Sequence, residues 1–173
     1  VRNLLDFARQ REPSFQEVNL DAVIIEALSL LSNRMTIQGI VLQKNLGDPP
    51  PVWADFGQLR QTFVNIALNA CQAMEKGGTL TVVTVLSPGK RMVEVSITDT
   101  GVGIPQAHLA TIFDPFFTTK EKGTGLGLSV VYGIVNRHGG RVDMKSELGK
   151  GTSVIVRLPV ADRAGAGGPS PCV

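Results

Sequence analysis

The residues best suited to chemistry follow an alternating strand pattern in the middle of the chain. Val93, Val95 and Ile97 alternate with polar residues and predict a half-buried strand that ends at Asp99. Asp99 opens the segment Asp-Thr-Gly-Val-Gly, residues 99–103, whose two glycines allow a tight turn and a close approach of the backbone to a flat ligand. A carboxylate at this position could accept a hydrogen bond from an exocyclic amine such as that of adenine. Alone, the segment would equally suit an ordinary strand-ending turn.

A second candidate group lies on a helix predicted for residues 55–76. The apolar stripe of this helix consists of Leu59, Phe63, Ile66, Ala67, Ala70 and Met74, and a polar stripe beside it consists of Thr62, Asn65, Asn69 and Gln72. Asparagine is a poor residue for a helix interior, so Asn65 and Asn69 suggest a ligand site. Asn69 would coordinate Mg²⁺ through its amide oxygen, and Asn65 would position water or phosphate. The alternative is a solvated helix face.

A glycine-rich segment, Gly-Thr-Gly-Leu-Gly-Leu at residues 123–128, opens another helix predicted to end near Arg137. Such backbone ahead of a helix N-terminus directs amide N–H groups and the positive end of the helix dipole toward an anion. Its spacing matches neither the dinucleotide fingerprint nor the phosphate loop of the parallel-sheet nucleotide folds. A plain flexible loop is the alternative.

The remaining patterns predict the elements that must hold these groups. We expect further helices at residues 1–10, 20–38 and 106–110, and strands at residues 40–43, 52–53, 80–86, 92–98, 141–145 and 153–158. Asn19 is the expected N-cap of the helix at 20–38. The core stripe of that helix would be Ile24, Ala27, Leu28 and Leu31, and that of the last helix Leu126, Val130, Ile134 and Val135.

Composition limits the class of protein. The 173 residues suffice for one domain with a short appendage, and 43% hydrophobic with 18% charged residues indicates a soluble globular chain. A net charge of +2 without a long basic run gives no indication of nucleic-acid or membrane-surface binding. The two cysteines, Cys71 and Cys172, form neither a disulfide framework nor a metal cluster, which fits a reducing cytosol.

Taken in order, several segments resemble one family: the ATP-binding catalytic domain of two-component sensor histidine kinases, within the wider group that includes gyrase, Hsp90 and MutL. Residues 65–70 resemble its N box, residues 99–103 its first glycine box, residues 112–117 its F box and residues 123–128 its second glycine box. Residues 149–152 are similar to its closing glycine–threonine turn.

The resemblance covers residues 20–159. The sequence of residues 118–128 is most similar to that of sensor kinases of the nitrogen-regulation type. It implies the Bergerat fold, an α+β two-layer sandwich whose mixed, mostly antiparallel sheet carries the helices on one face, with a mobile ATP lid at residues 118–126. Residues 1–12 would be the end of a dimerisation helix whose remainder is absent. Residues 13–160 would be the catalytic domain and 161–173 a disordered tail.

The same resemblance implies ATP and Mg²⁺ as ligands. At the base end, Asp99 would accept from the adenine amine, Gly103 would admit the ring and Thr152 would assist through water. At the phosphate end, Asn69 would hold Mg²⁺ with Asn65 assisting. Lys120, with Lys122 as a second candidate, would reach the phosphates from the lid; either lysine could instead be a solvated charge. The predicted nucleotide-binding residues are Asn65, Asn69, Asp99, Gly101, Gly103, Ile104, Lys120, Gly123, Thr124, Gly125, Leu126, Gly127, Leu128 and Thr152, and Asn65, Asn69 and Lys120 are the predicted catalytic ones.

Two positions depart from the family pattern. ATP-hydrolysing relatives carry a glutamate as general base one turn before the magnesium asparagine, whereas this chain has Asn65, which cannot take a proton. This favours transfer to a protein nucleophile over hydrolysis. Gln72 stands where some sensor kinases have a lysine or arginine, so the phosphate charge should be met by the lid.

The resemblance therefore predicts transfer of the ATP γ-phosphoryl group to a histidine on an upstream dimerisation domain, for relay to a response regulator. Neither His108, an expected surface residue, nor His138, expected at a helix end near the negative dipole, stands in the setting of the acceptor. We expect the chain alone to be slow or inactive, its location to be cytoplasmic with or without a membrane anchor elsewhere in the parent protein, and the full-length protein to be a homodimer. The domain itself should contact neither nucleic acid nor membrane. The alternatives are a gyrase–Hsp90-type ATPase, a degenerate nucleotide-sensing module and a serine kinase.

Overall fold

The computed structural model describes residues 13–89, 91–118 and 123–161. The predicted helix at residues 1–10, Lys120, Lys122 and nearly all of the predicted tail lie outside the described residues. The described helices are α1 (Leu20–Ser29), α2 (Ser32–Gln38), α3 (Phe56–Ala73), α4 (Gln106–Leu109) and α5 (Gly127–Arg137). The strands are β1 (Gln16–Val18), β2 (Ile40–Asn45), β3 (Val52–Ala54), β4 (Gly78–Ser87), β5 (Met92–Asp99), β6 (Arg141–Glu147) and β7 (Gly151–Pro159).

Five strands form a mixed sheet in the order β2–β4–β5–β7–β6. The β2–β4 pair is parallel and the other three pairs are antiparallel. Apart from this sheet, β1 and β3 form a two-stranded antiparallel ribbon. The predicted α+β fold with a mixed, mostly antiparallel sheet is confirmed.

One hydrophobic core joins α1, α3 and α5 to one face of the sheet. Burial alternates along β5, where Val93, Val95, Ile97 and Asp99 are buried. All six residues of the predicted apolar stripe of α3 are buried as well, the last of them, Met74, directly after the helix. Asp99 therefore ends a strand on the face of the sheet that the helices cover.

The predicted helix at residues 20–38 is wrong, because the chain forms two helices there, separated at Leu30 and Leu31. The hydroxyl of Ser29 donates to the carbonyl of Glu26 at 2.7 Å, and that of Ser32 donates to the carbonyl of Ser29 at 2.8 Å. Side-chain hydroxyls thus occupy carbonyls around the break and compete with a continuous helix. The predicted N-cap is confirmed, since the Asn19 side chain accepts from the Ala22 N–H at 3.0 Å.

Other details of these elements also differ from the sequence prediction. Helix α3 ends at Ala73, before the predicted residue 76, and β2 extends to Asn45. On α5 the fully buried residues include Val131, which the predicted stripe omitted, while Leu126 and Val130 are only partly buried. Among the described helices, none has the length and apolar character that crossing a membrane requires.

Candidate functional site

Asp99 lies at the end of β5, between Leu80 of β4 and Thr152 of β7 in the strand register. It is 6% exposed, and its Oδ1 accepts the backbone N–H of Gly101 at 2.8 Å. This bond shapes the turn that follows the strand. The carboxylate is therefore held at the end of the central strand, on the face toward the helices.

The glycines of this turn are required by contacts within the protein. A Cβ on Gly101 would lie 2.5 Å from the carbonyl oxygen of Ala73, at the end of α3. A Cβ on Gly103, which has φ of +71°, would lie 2.1 Å from the carbonyl oxygen of Glu147, at the end of β6. The turn is thus clamped between α3 and β6. The expected role of Gly103 in admitting a ring stays a prediction.

Ser146 is a residue of the site that sequence reasoning missed. It lies opposite Thr152 in the β6–β7 register, and the two hydroxyl oxygens are 2.8 Å apart. The same Ser146 Oγ accepts the N–H of Ile104 at 2.8 Å and donates to the carbonyl of Gly151 at 2.9 Å. A serine within a strand has no motif of its own, so only the pairing of β6 with β7 identifies it.

Asn65 and Asn69, both partly buried, face the start of α5. The Nδ2 of Asn65 donates to the carbonyl oxygen of Gly127 at 3.3 Å, and a Cβ on Gly127 would lie 3.8 Å from the Nδ2 of Asn69. The N-cap of α5, Leu126, provides no side-chain hydrogen bond to the first turn. The two predicted ligand asparagines and the predicted anion-binding helix start therefore lie together.

One backbone contact, which we call the lid neck, joins the chain just before the predicted lid to Gly125 near the end of the lid. The N–H of Phe116 donates to the carbonyl of Gly125 at 3.0 Å. A Cβ on Gly125, at φ of +66°, would lie 2.3 Å from the carbonyl carbon of Phe116. Just before Gly125, the residues Gly123 and Thr124 are exposed. Just after it, Leu126 and Leu128 are partly buried. The predicted lid contact, Lys120, lies outside the described residues.

Helix α3 connects the two ends of the site. Its last residue, Ala73, accepts the N–H of Val102 at 3.1 Å, next to the Asp99 turn. Two turns earlier, Asn65 contacts Gly127. The eight residue steps from Asn65 to Ala73 span about 12 Å along the helix axis. One rigid helix therefore fixes the distance between two ends of the site. One end carries the carboxylate of Asp99, and the other carries the asparagine amides and the start of α5.

A depression with a volume of about 290 Å³ adjoins the acidic end. Its lining residues are Thr98, Asp99, Lys145, Ser146, Glu147, Lys150, Gly151, Thr152 and Ser153. Side chains of consecutive strand residues point to opposite faces, so Thr98, Lys145 and Ser153 belong to the open face of the sheet. The depression therefore wraps around the strand ends rather than coinciding with the helix-covered site.

The donor atoms of the site suit Mg²⁺ only in company with a phosphate ligand. Within residues 13–89, 91–118 and 123–161, no group of three or more His, Cys, Asp or Glu could hold a metal ion. Mg²⁺ usually keeps several waters and binds through few protein oxygens together with substrate phosphates. The amide oxygen of Asn69 fits that limited role, and the described residues offer no resident metal site.

His138 lies at the C-terminal end of α5, as expected from the sequence, and it is buried with both ring nitrogens engaged. Its Nε2 accepts the N–H of Asp55 at 3.0 Å, so the Nδ1, 2.8 Å from the carbonyl of Ile134, carries the proton. Burial lowers the pKa of His138, against the opposing effects of the Ile134 carbonyl and Asp55. A neutral ring held in this way is not placed to accept a phosphoryl group.

His108 is only partly buried, and its ring meets that of Phe117 edge-on, with centroids 5.6 Å apart. Its Nδ1 is buried without a partner among the described residues. The expectation of a plain surface residue therefore needs correction.

The chain matches one family model over residues 54–162, that of the histidine kinase-, DNA gyrase B- and HSP90-like ATPases. The sensor histidine kinase ZraS of Escherichia coli is 38% identical over 161 residues, which is 92% of this chain and 34% of ZraS. The chain spans about a third or less of the length of the curated relatives it matches.

Two solved structures are also similar. Full-length ShkA in complex with AMPPNP aligns with a TM-score of 0.82 and 31% identity, covering 95% of this chain and 36% of ShkA. The histidine kinase ThkA in complex with the response regulator TrrA aligns with a TM-score of 0.77 and 26% identity, covering 92% of this chain and 46% of ThkA.

Proposed function

Since the chain belongs to the family of histidine kinase-, DNA gyrase B- and HSP90-like ATPases, we propose that it binds ATP and transfers the γ-phosphoryl group to a histidine on an upstream dimerisation domain. The observation that carries this proposal is the path of α3. That helix joins the buried Asp99 at one end of the site to Asn65, Asn69 and Gly127 at the other. The length of this helix separates the end that would bind adenine from the end that would bind the phosphates.

At the base end, the Asp99 carboxylate accepts the adenine amine. The N–H of Gly101 already holds Oδ1, so the carboxylate is oriented before a ligand arrives. Gly101 and Gly103 keep the turn against α3 and β6, and Ile104 is tied to Ser146. Thr152, beside Asp99, supports the same edge of the base. Affinity at this end comes from a preorganised acceptor in a buried setting.

At the phosphate end, Asn69 would hold Mg²⁺ through its amide oxygen, and Asn65 holds the start of α5 in place. When bound, the ion would neutralise phosphate charge during transfer. Residues 123–128 supply backbone N–H groups and the positive end of the α5 dipole. The exposed Gly123 and Thr124 lie beside the Phe116–Gly125 contact. Lys120, which lies outside the described residues, would reach the phosphates from the predicted lid.

The side chains favour phosphoryl transfer over hydrolysis. Asn65, one turn before Asn69, cannot take a proton from water. Its Nδ2 is also committed to the Gly127 carbonyl. This domain then catalyses the transfer by positioning the reactants and neutralising charge. The general base that accepts the proton belongs to the acceptor domain.

The chain's partners follow from this reaction. The domain would serve a dimerisation domain of its parent protein and a response regulator, as the ThkA–TrrA complex illustrates for that kinase. The catalytic domain comprises residues 13–160, and the full-length protein is a homodimer whose kinase domain works in the cytoplasm.

The test compares Asp99→Asn with Asp143→Asn, a matched loss of charge on β6, where Asp143 pairs with Arg157. Asp99→Asn should weaken ATP binding in calorimetry by about 1–3 kcal/mol, roughly ten- to hundred-fold, because a donor replaces an acceptor at the amine. Asp143→Asn should leave ATP affinity unchanged. Unchanged ATP affinity in Asp99→Asn would refute the base assignment.

The reaction is tested with γ-labelled ATP and the parent protein's dimerisation domain added in trans. We expect acid-labile label on that domain. Steady phosphate release that ignores the added domain would instead indicate an ATPase, and binding without either reaction would indicate a nucleotide sensor.

A further inference from the structure

The hydroxyls of Ser146 and Thr152 form a hydrogen-bond chain whose proton positions can be assigned. Ser146 Oγ has three neighbours: the N–H of Ile104 at 2.8 Å, the carbonyl oxygen of Gly151 at 2.9 Å and the hydroxyl of Thr152 at 2.8 Å. Ser146 and Thr152 are 9% and 8% exposed, so solvent has little access to replace these partners. A serine hydroxyl has one proton and two lone pairs.

Two of the three contacts permit only one direction. A backbone N–H can only donate, so the Ile104 contact uses one lone pair of Ser146. A carbonyl can only accept, so the Gly151 contact uses the single Ser146 proton. The contact with Thr152 must therefore use the second lone pair of Ser146, and Thr152 is its donor. The hydroxyl of Thr152 then has only lone pairs to offer any further partner.

Thr152, whose hydroxyl offers only lone pairs, is the direct partner of Asp99 in the β5–β7 register. The Asp99 carboxylate also offers only lone pairs. The polar edge of the site thus consists of acceptors. A purine with an exocyclic 6-amine brings two N–H donors to that edge, whereas a 6-oxo purine brings an oxygen whose lone pairs oppose it.

We propose that Ser146 is a positioning residue for nucleotide specificity: by taking the Thr152 proton, it fixes that hydroxyl as an acceptor and so favours 6-amino over 6-oxo purine nucleotides. Ser146 does not touch the nucleotide in this scheme; it acts through Thr152 and through the Ile104 end of the turn. The proposal rests on the proposed function, in which the base lies beside Asp99.

The experiment measures the dissociation constants of ATP and inosine triphosphate for the 173-residue chain, with magnesium, by calorimetry. The quantity of interest is the ratio of the two constants, because a loss of packing would weaken both nucleotides together. In the unmodified chain ATP should bind about tenfold or more tightly than inosine triphosphate.

Ser146→Ala removes the acceptor of the Thr152 proton, so that hydroxyl can turn and donate to a 6-oxo group. The ratio should fall about three- to tenfold. The matched control is Ser153→Ala, which removes a hydroxyl from the open face of β7, where it contacts Thr98 at 2.9 Å. The control should keep the ratio of the unmodified chain.

A Ser146→Ala chain that binds both nucleotides with the original ratio would overturn the proposal, however much both affinities weaken. If Ser146→Ala does not fold, Thr152→Val decides, since it deletes the acceptor itself with nearly the same shape. A falling ratio supports the proposal and an unchanged ratio overturns it. Asp99→Asn distinguishes a failure of this proposal from a failure of the proposed function. If Asp99→Asn weakens ATP binding while Ser146→Ala keeps the ratio of the two dissociation constants, the ATP site stands and only the role of Ser146 is wrong.

Discussion

The imidazole Nε2 of His138 accepts the backbone N–H of Asp55 at 3.0 Å, joining the end of α5 to the N-cap of α3. The Asp55 carboxylate in turn accepts the N–H of Gln58 at 2.8 Å and, through its other oxygen, the N–H of Ser14 at 2.8 Å. The ring of Phe15 lies 4.8 Å from that of His138. The chain ahead of β1 is thus attached where the two helices that frame the nucleotide site meet.

The buried contact between His138 and the N–H of Asp55 predicts that the stability of the fold depends on pH. The folded-state pKa of His138 lies below its ordinary value of 6.5, so the ring stays neutral while the unfolded ring takes up a proton. The unfolded state therefore binds more protons below that value, and the free energy of unfolding should rise with pH through the window between the two pKa values. The contribution is complete above 6.5 and is lost as the pH falls toward the folded pKa. Urea denaturation at a series of pH values measures it.

The variant His138→Phe keeps an aromatic ring against Phe15 but leaves the Asp55 N–H without its acceptor. It should lower the free energy of unfolding by about 1–3 kcal/mol at neutral pH. It should also flatten the pH dependence just below about 6.5. An unaltered slope in His138→Phe would show that groups other than His138 set the pH dependence in this window.

The amide of Asn69 predicts a loss specific to magnesium. Asn69→Ala should weaken Mg-ATP far more than ATP measured with a chelator, because the metal contact exists only in the first complex. Calorimetry under both conditions gives the comparison, with Gln61→Ala on the exposed side of α3 as control. Equal losses for both forms of the nucleotide would remove the metal role of Asn69.

Two glycines near the start of α5 and within it predict opposite effects on stability. Gly125→Ala forces a Cβ to within 2.3 Å of the Phe116 backbone at positive φ, so it should lower the free energy of unfolding by about 1–3 kcal/mol and open the lid neck. Gly133→Ala meets nothing within 4 Å in the middle of α5 and should raise it by up to about 1 kcal/mol. Urea denaturation distinguishes the two variants, and a tolerated Gly125→Ala would contradict the described neck.

The sequence alone predicted much of the fold and named most residues of the candidate site, although it missed Ser146. The 3.6-residue stripe of α3 and the alternation of β5 are properties of contiguous residues, and both elements lie where the pattern predicted them. The boxes around Asn65, Asp99 and Gly125 carry recognisable residue types at fixed spacing, so the residues themselves identify the family. The break at Leu30 was missed because two serines reuse local carbonyls within an otherwise continuous helical pattern.

Tertiary structure alone decided which distant groups satisfy one another. Ser146 meets Thr152 only because β6 and β7 pair in one register. His138 is neutral because packing buries the end of α5 and brings the Nε2 to the N–H of Asp55. Gly103 is needed because β6 passes close to the turn. The backbone conformation of a segment follows largely from its own residues, but the burial of a side chain and its hydrogen-bond partner depend on residues far along the chain, which only packing brings within reach.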